Sequence, residues 1–345
     1  MFVTISRKTL ILILSVFILA AVAVCCGIMS TGNAVDSENE VQIEQEFIKW
    51  VDFNVSYDAL CDTMEADIKS YSTDNHYVWT DLLAYLAAAN GNNFSGYNKK
   101  DLTALIKKLE DGRSMEELTE NMKYYSYYQE IFTAVLGEYI GEYCVQTPDD
   151  DPDTPVWERR YGLKAFCPIA KGFSFEHYND FGNARTYGYS RLHTGHDLFG
   201  SIGTPVIAIE SGTVECVGWN QYGGWRIGIR SFDKKRYYYY AHLRKDHPYT
   251  PVVEEGTVIK AGDVIGYLGM TGYSKEENVN NINVPHLHMG VQLIFDESQK
   301  DGANEIWIDG YNLIKLLQKN CSEVYKNDET GEYVRKYDFY EQSVM

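Results

Sequence analysis

The chain has 345 residues, 45% of them hydrophobic, and a formal charge of −18. That length suggests about two domains, and the composition allows a sizeable core. The acidic balance excludes a nucleic-acid surface, which needs clustered Lys and Arg. The charge is unevenly spread: residues 36–153 hold 25 acidic and 8 basic side chains, a net −17, whereas residues 154–320 hold 18 of each. This asymmetry predicts a boundary near residue 150.

In chain order, the first feature is "TLILILSVFILAAVAVCCGIM", residues 9–29, which carries no charge. At ~1.5 Å per residue it is long enough for a bilayer core. Arg7 and Lys8 precede it, and Asp36, Glu38 and Glu40 follow it. The positive-inside bias therefore predicts residues 1–35 as a cytoplasmic start and transmembrane signal anchor. The protein is then single-pass in the cell membrane with its bulk extracellular. The alternative is secretion after signal cleavage near Ala34. The seven cysteines contain no C-x-x-C pair, so no zinc knuckle or dense disulfide framework is expected.

Residues 36–146 read as an acidic helical region, a small bundle. Leu60, Met64, Ile68 and Tyr71 share one helical face. Leu102, Leu105, Ile106 and Leu109 follow the i, i+3, i+4, i+7 pattern up to Gly112. Ser114 with Glu117 forms a capping box that opens a tyrosine-rich helix to about Tyr143. "TPDDDPDTP", residues 147–155, reads as a linker, because its prolines and aspartates suit neither helix nor sheet. From residue 156 short β-runs appear, among them "TPVIAIESGTVECVGW", "WRIGIRSF", "RYYYYAHL" and "PHLHMGVQLIF". Residues 156–320 thus predict an antiparallel all-β sandwich or open barrel with one closing helix at "GYNLIKLL", and residues 321–345 a tail. The whole is a multidomain α + β protein.

Five of the eight histidines fall in three motifs of the β-region: "RLHTGHD", "YAHL" and "PHLHMG". On a strand, His286 and His288 project from the same face. Two imidazoles beside a third and an aspartate suit a zinc site, which takes three protein ligands and keeps one open position when catalytic. There is no H-E-x-x-H helix to supply a glutamate base.

With "GTPVIAIESGTV" and "AGDVIGYLGMTG" between them, these motifs resemble the LytM/lysostaphin-type zinc peptidases of family M23, which cut peptidoglycan. The resemblance covers about residues 185–295. It implies one Zn²⁺ held by His193, Asp197 and His288, with His242 and His286 as catalytic histidines outside the ligand set. It also implies a zinc-activated water that hydrolyses peptide bonds in the stem peptides or cross-bridges of peptidoglycan. Arg191 and Tyr240 are candidate substrate contacts. Tyr238, Tyr240 and His242 share a face if their strand is regular, and His196 points away from the ligands. A cell-envelope protein is a compatible partner for the helical region. The alternative is a catalytically inactive scaffold of the same fold that binds the cell wall or a partner protein.

Overall fold

A computed structural model describes residues 47–147, 156–186, 190–302 and 304–341. The predicted signal anchor at 1–35 lies outside the described residues. Among the described residues no helix is long and apolar enough to cross a membrane. The described residues belong to one compact unit.

Five helices come first: α1 (Tyr57–Ser70), α2 (Trp79–Asn90), α3 (Lys99–Glu110), α4 (Met115–Thr119) and α5 (Tyr125–Leu136). Their ends follow local chemistry. The Ser56 hydroxyl accepts from Ala59 N, Asn98 Oδ1 from Lys100 N, and Ser114 from Glu117 N. Helix α2 stops at Gly91, whose φ of 61° is left-handed. The apolar faces of α1, α2 and α5 meet through Leu60, Leu82, Leu86, Phe132 and Val135. These residues belong to the same buried cluster as Leu198, Ile227, Tyr238 and Leu287 of the sheet. Each such side chain stabilises by about 1.5–3 kcal/mol on burial. The helices therefore share a core with the β-region.

The strands follow as β1 (Ile140–Thr147), β2 (Val156–Leu163), β3 (Glu176–His177), β4 (Ala184–Thr186), β5 (Ser190–Leu192), β6 (His196–Phe199), β7 (Pro205–Ile207), β8 (Gly212–Asn220), β9 (Gly224–Ser231), β10 (Arg236–Ala241), β11 (Val258–Ile259), β12 (Val264–Tyr267) and β13 (His286–Leu293). After them come β14 (Ile306–Trp307), helix α6 (Tyr311–Leu317), β15 (Val324–Lys326), β16 (Tyr333–Arg335) and β17 (Phe339–Tyr340). The main sheet is antiparallel, in the order β11-β8-β9-β10-β13-β6-β3, with β14 also on β13. The expected closing helix is α6.

Three expectations change. The tyrosine-rich helix ends at Leu136, and Ile140–Thr147 is strand instead. Gly137 and Gly141 favour helix least there, and the run Ile140–Thr147, with Ile140, Tyr143, Val145 and Thr147, pairs with β2. Across the expected linker, Thr147 and Val156 face each other in the β1–β2 ladder, so its two ends are neighbours. Residues 148–155 themselves lie outside the described set. The tail from 321 is structured: β15 and β16 form a hairpin, and β17 pairs with β1.

One buried polar knot fastens helices to sheet. Arg236 is 0% exposed; its Nε and Nη2 reach Glu210 at 2.8 and 3.0 Å, and its Nη1 donates to Ala134 O at the end of α5. Tyr238 OH donates to the same Glu210 carboxylate. Arg236→Met is expected to lower unfolding free energy by about 3–5 kcal/mol, because it strands Glu210 uncompensated in the core. Urea denaturation would measure this, and a loss below about 1 kcal/mol would contradict it.

Candidate metal centre and groove

Strand β13 crosses the middle of the sheet, between β10 and β6. Its pairing with β6 sets His288 opposite Asp197, and its pairing with β10 sets it opposite Ala241. His193 stands just before β6, and its backbone N donates to Asn183 O at 2.9 Å.

The three side chains converge. His193 Nε2 lies 3.1 Å from Asp197 Oδ1 and 3.2 Å from His288 Nδ1, and His288 Nδ1 lies 2.8 Å from Asp197 Oδ1. A zinc tetrahedron with nitrogen and oxygen ligands at ~2.0–2.1 Å has edges of about 3.3 Å. Two imidazole nitrogens and one carboxylate oxygen at this spacing fit a single zinc-type cation. Burial opposes the charge on Asp197, but hydrogen bonds from His193 and His288 outweigh it and hold the carboxyl far below the usual carboxylate range. Gly195 is required beside this cluster: a Cβ there would meet His288 Cε1 at 2.4 Å.

Two further residues brace the donors, and neither was singled out in the sequence. Asp180 Oδ2 lies 3.2 Å from His193 Nδ1, the nitrogen facing away from the cluster. Arg185 donates to Asp180 and, at 3.2 Å, to Asp197 Oδ2, the oxygen not shared with the imidazoles. Such outer partners fix ring orientation and ligand basicity. Asp180→Asn is expected to weaken zinc binding by about 10–100-fold without unfolding the protein. Competition against a coloured chelator would show it, and unchanged affinity would remove Asp180 from this role.

His242 and His286 flank the cluster. His242 Nδ1 lies 2.8 Å from Thr271 O, and His286 Nδ1 lies 2.8 Å from Val284 O. A carbonyl only accepts, so each Nδ1 carries the proton and each neutral ring keeps its Nε2 lone pair. His286 Nε2 is 3.7 Å from Asp197 Oδ1, and the His242 and His286 ring centroids are 4.8 Å apart. Burial, then the neighbouring His286 and His288, push His242 well below its ordinary pKa. Burial also lowers His286, but there the charge of Asp197 opposes the shift.

A groove of about 390 Å³ opens over these residues, lined also by Arg185, Arg191, Tyr222, Tyr239, Tyr273 and Asn281. Tyr240 is not among them. It is 0% exposed and its hydroxyl accepts from Ile209 N. The strand ends at Ala241, and His242 takes a left-handed φ of 59°. Regular alternation therefore sends Tyr239 to the groove, while His242 reaches it by a backbone twist. His196 points away from the ligands: its Nε2 lies 2.7 Å from His177 Nδ1, and burial holds its pKa down to about 3.

Residues 191–301 match peptidase family M23. The chain contains an M23 peptidase domain. It is 38% identical over 160 residues to the L-Ala–D-Glu endopeptidase of Bacillus subtilis, covering 46% of this chain and 45% of that one. It is 40% identical over 146 residues to the glycyl-glycine endopeptidase ALE-1 of Staphylococcus capitis, covering 42% and 35%. It thus spans less than half the length of these curated relatives. A solved structure of the lysostaphin catalytic domain from Staphylococcus simulans aligns with a TM-score of 0.32 at 32% identity, covering 41% of this chain and 92% of that chain. All three donor residues and both flanking histidines fall inside the M23 domain.

Proposed function

We propose that this protein is a zinc-dependent endopeptidase that hydrolyses peptide bonds of bacterial peptidoglycan. The observation that carries the reading is the convergence of His193, Asp197 and His288, with two histidine Nε2 atoms facing the same groove. The relatives' names supply the substrate class, peptide bonds of the L-Ala–D-Glu or glycyl-glycine type. The inactive-scaffold alternative has no observation in its favour, because the full donor set and both histidines are in place.

His193, Asp197 and His288 would hold the ion, which when bound supplies the charge that acidifies water and polarises a carbonyl. The chain's own groups do the rest. One of His242 and His286 accepts the proton of the attacking water at Nε2, and the other, protonated, donates to the oxyanion or the departing amine. The groove walls hold the peptide across the cluster. Asp180 and Arg185 keep the donors aligned.

The uncharged run at 9–29 supports a membrane tether with the peptidase on the outer face. The acidic helical region supports contact with a cationic envelope protein. The purified full chain should release new amino groups from peptidoglycan, stop on treatment with a chelator and recover on adding Zn²⁺. Wall binding with no release at full zinc loading would refute the enzyme and leave the scaffold.

A further inference from the structure

The groove carries a positive charge that no acidic side chain among the described residues answers. Arg185 is engaged by Asp180 and Asp197. Arg191, on β5, has no carboxylate partner among the described residues. Its Nη2 donates to Tyr273 OH, and its guanidinium carbon lies 5.5 Å from the centre of that ring. Its Nε is buried with no hydrogen-bond partner among the described residues. A guanidinium stays protonated at any working pH and presents its N–H groups in a fixed fork that matches a carboxylate. An unanswered Arg at the mouth of a groove is therefore an anion site, and here it occurs in a chain of net charge −18. The Tyr273 and His242 ring centroids are 5.8 Å apart, so an anion on Arg191 sits beside the reacting bond. Tyr239, which also lines the groove, places its ring centroid 6.1 Å from that of His288.

We propose that Arg191 is a specificity-determining residue that binds a carboxylate of the substrate residue flanking the scissile bond. The protein then acts on acidic stem peptides in preference to neutral glycine bridges. A γ-linked D-glutamyl residue keeps a free α-carboxylate after its peptide bond is made, whereas an internal glycine offers none. This inference rests on the proposed endopeptidase function and narrows its substrate.

The test uses the zinc-loaded full chain and three synthetic substrates: L-Ala–γ-D-Glu–L-Lys, the same peptide with the D-Glu α-carboxyl as its amide, and pentaglycine. The acid peptide should be cut with a kcat/KM about tenfold or more above the amide, the scale of one charge-assisted bidentate contact. Arg191→Gln should bring the acid-to-amide ratio close to one, and Arg191→Lys should restore part of it, as a point charge without the fork. Zinc content of each variant, matched to the parent, separates loss of recognition from loss of fold. A ratio near one in the parent, or a high ratio kept by Arg191→Gln, overturns the role of Arg191. Hydrolysis of pentaglycine alone also overturns it and leaves the endopeptidase standing. No hydrolysis of any substrate or of peptidoglycan at full zinc loading overturns the proposed function, and this inference with it.

Discussion

His193→Ala leaves the purified protein without stoichiometric zinc, and its release of amino groups from peptidoglycan falls by about three orders of magnitude or more. The reasoning is geometric. Only three protein donors converge among the described residues, so removing one leaves Asp197 and His288, too few to hold a catalytic zinc firmly. The lost charge stabilisation is worth several kcal/mol of barrier, and about 4 kcal/mol is already a thousandfold in rate. The fold should survive, because Arg185 still pairs with Asp180 and Asp197 when the ring is gone. Elemental analysis of the dialysed variant, together with its thermal unfolding measured in chelator beside the parent, makes the test. Full zinc occupancy in His193→Ala would mean that the ion binds elsewhere.

The donor cluster is legible in the sequence because strand geometry is regular. His286 and His288, two apart, face the same side, and β6 delivers Asp197 opposite His288 by ordinary antiparallel register. The bracing residues are not legible. Asp180 and Arg185 sit in "YNDFGNARTY", a polar, glycine-punctuated stretch with no spacing that marks a carboxylate as a partner of an imidazole thirteen residues later. Their role depends on the turn at Gly182, which folds this stretch back so that Gly182 N donates to His193 O at 2.8 Å. Tyr240 was misplaced for a related reason. Alternation counted back from His242 holds only if the strand runs through it, and the left-handed φ at His242 breaks the count.

The same limit applies to the fold. Each amphipathic helix was visible from its period, yet period does not say what its apolar face meets. Between residues 47 and 147 most acidic side chains face solvent, whereas Leu60, Leu82 and Phe132 join the core of the sheet. Arg236 and Glu210, 26 residues apart in two β-runs, carry no local mark of burial, yet both are buried where the helices close over the sheet. Long-range register is what a local pattern lacks.

The second large effect separates the two flanking histidines from the donors. His242→Ala keeps its zinc but loses about 10²–10⁴ in kcat, the range for a positioned general base or acid. His286→Ala also falls in kcat, and it loosens the ion slightly because His286 faces Asp197 Oδ1 at 3.7 Å. The roles divide by environment. Burial, then His286 and His288, keep His242 neutral at pH 7, so its Nε2 lone pair is available to take a proton. Burial lowers His286 as well, but the Asp197 carboxylate beside it opposes that shift, so of the two rings it is the easier to protonate and the better suited to donate. The distinguishing measurement is substrate-dependent. A substrate with a leaving amine that needs no protonation should rescue His286→Ala in part and leave His242→Ala slow, because the first step still lacks its base. If His242→Ala cuts peptidoglycan at the parental rate with zinc bound, His242 is not the base. If the activated substrate rescues His242→Ala rather than His286→Ala, the two assignments exchange.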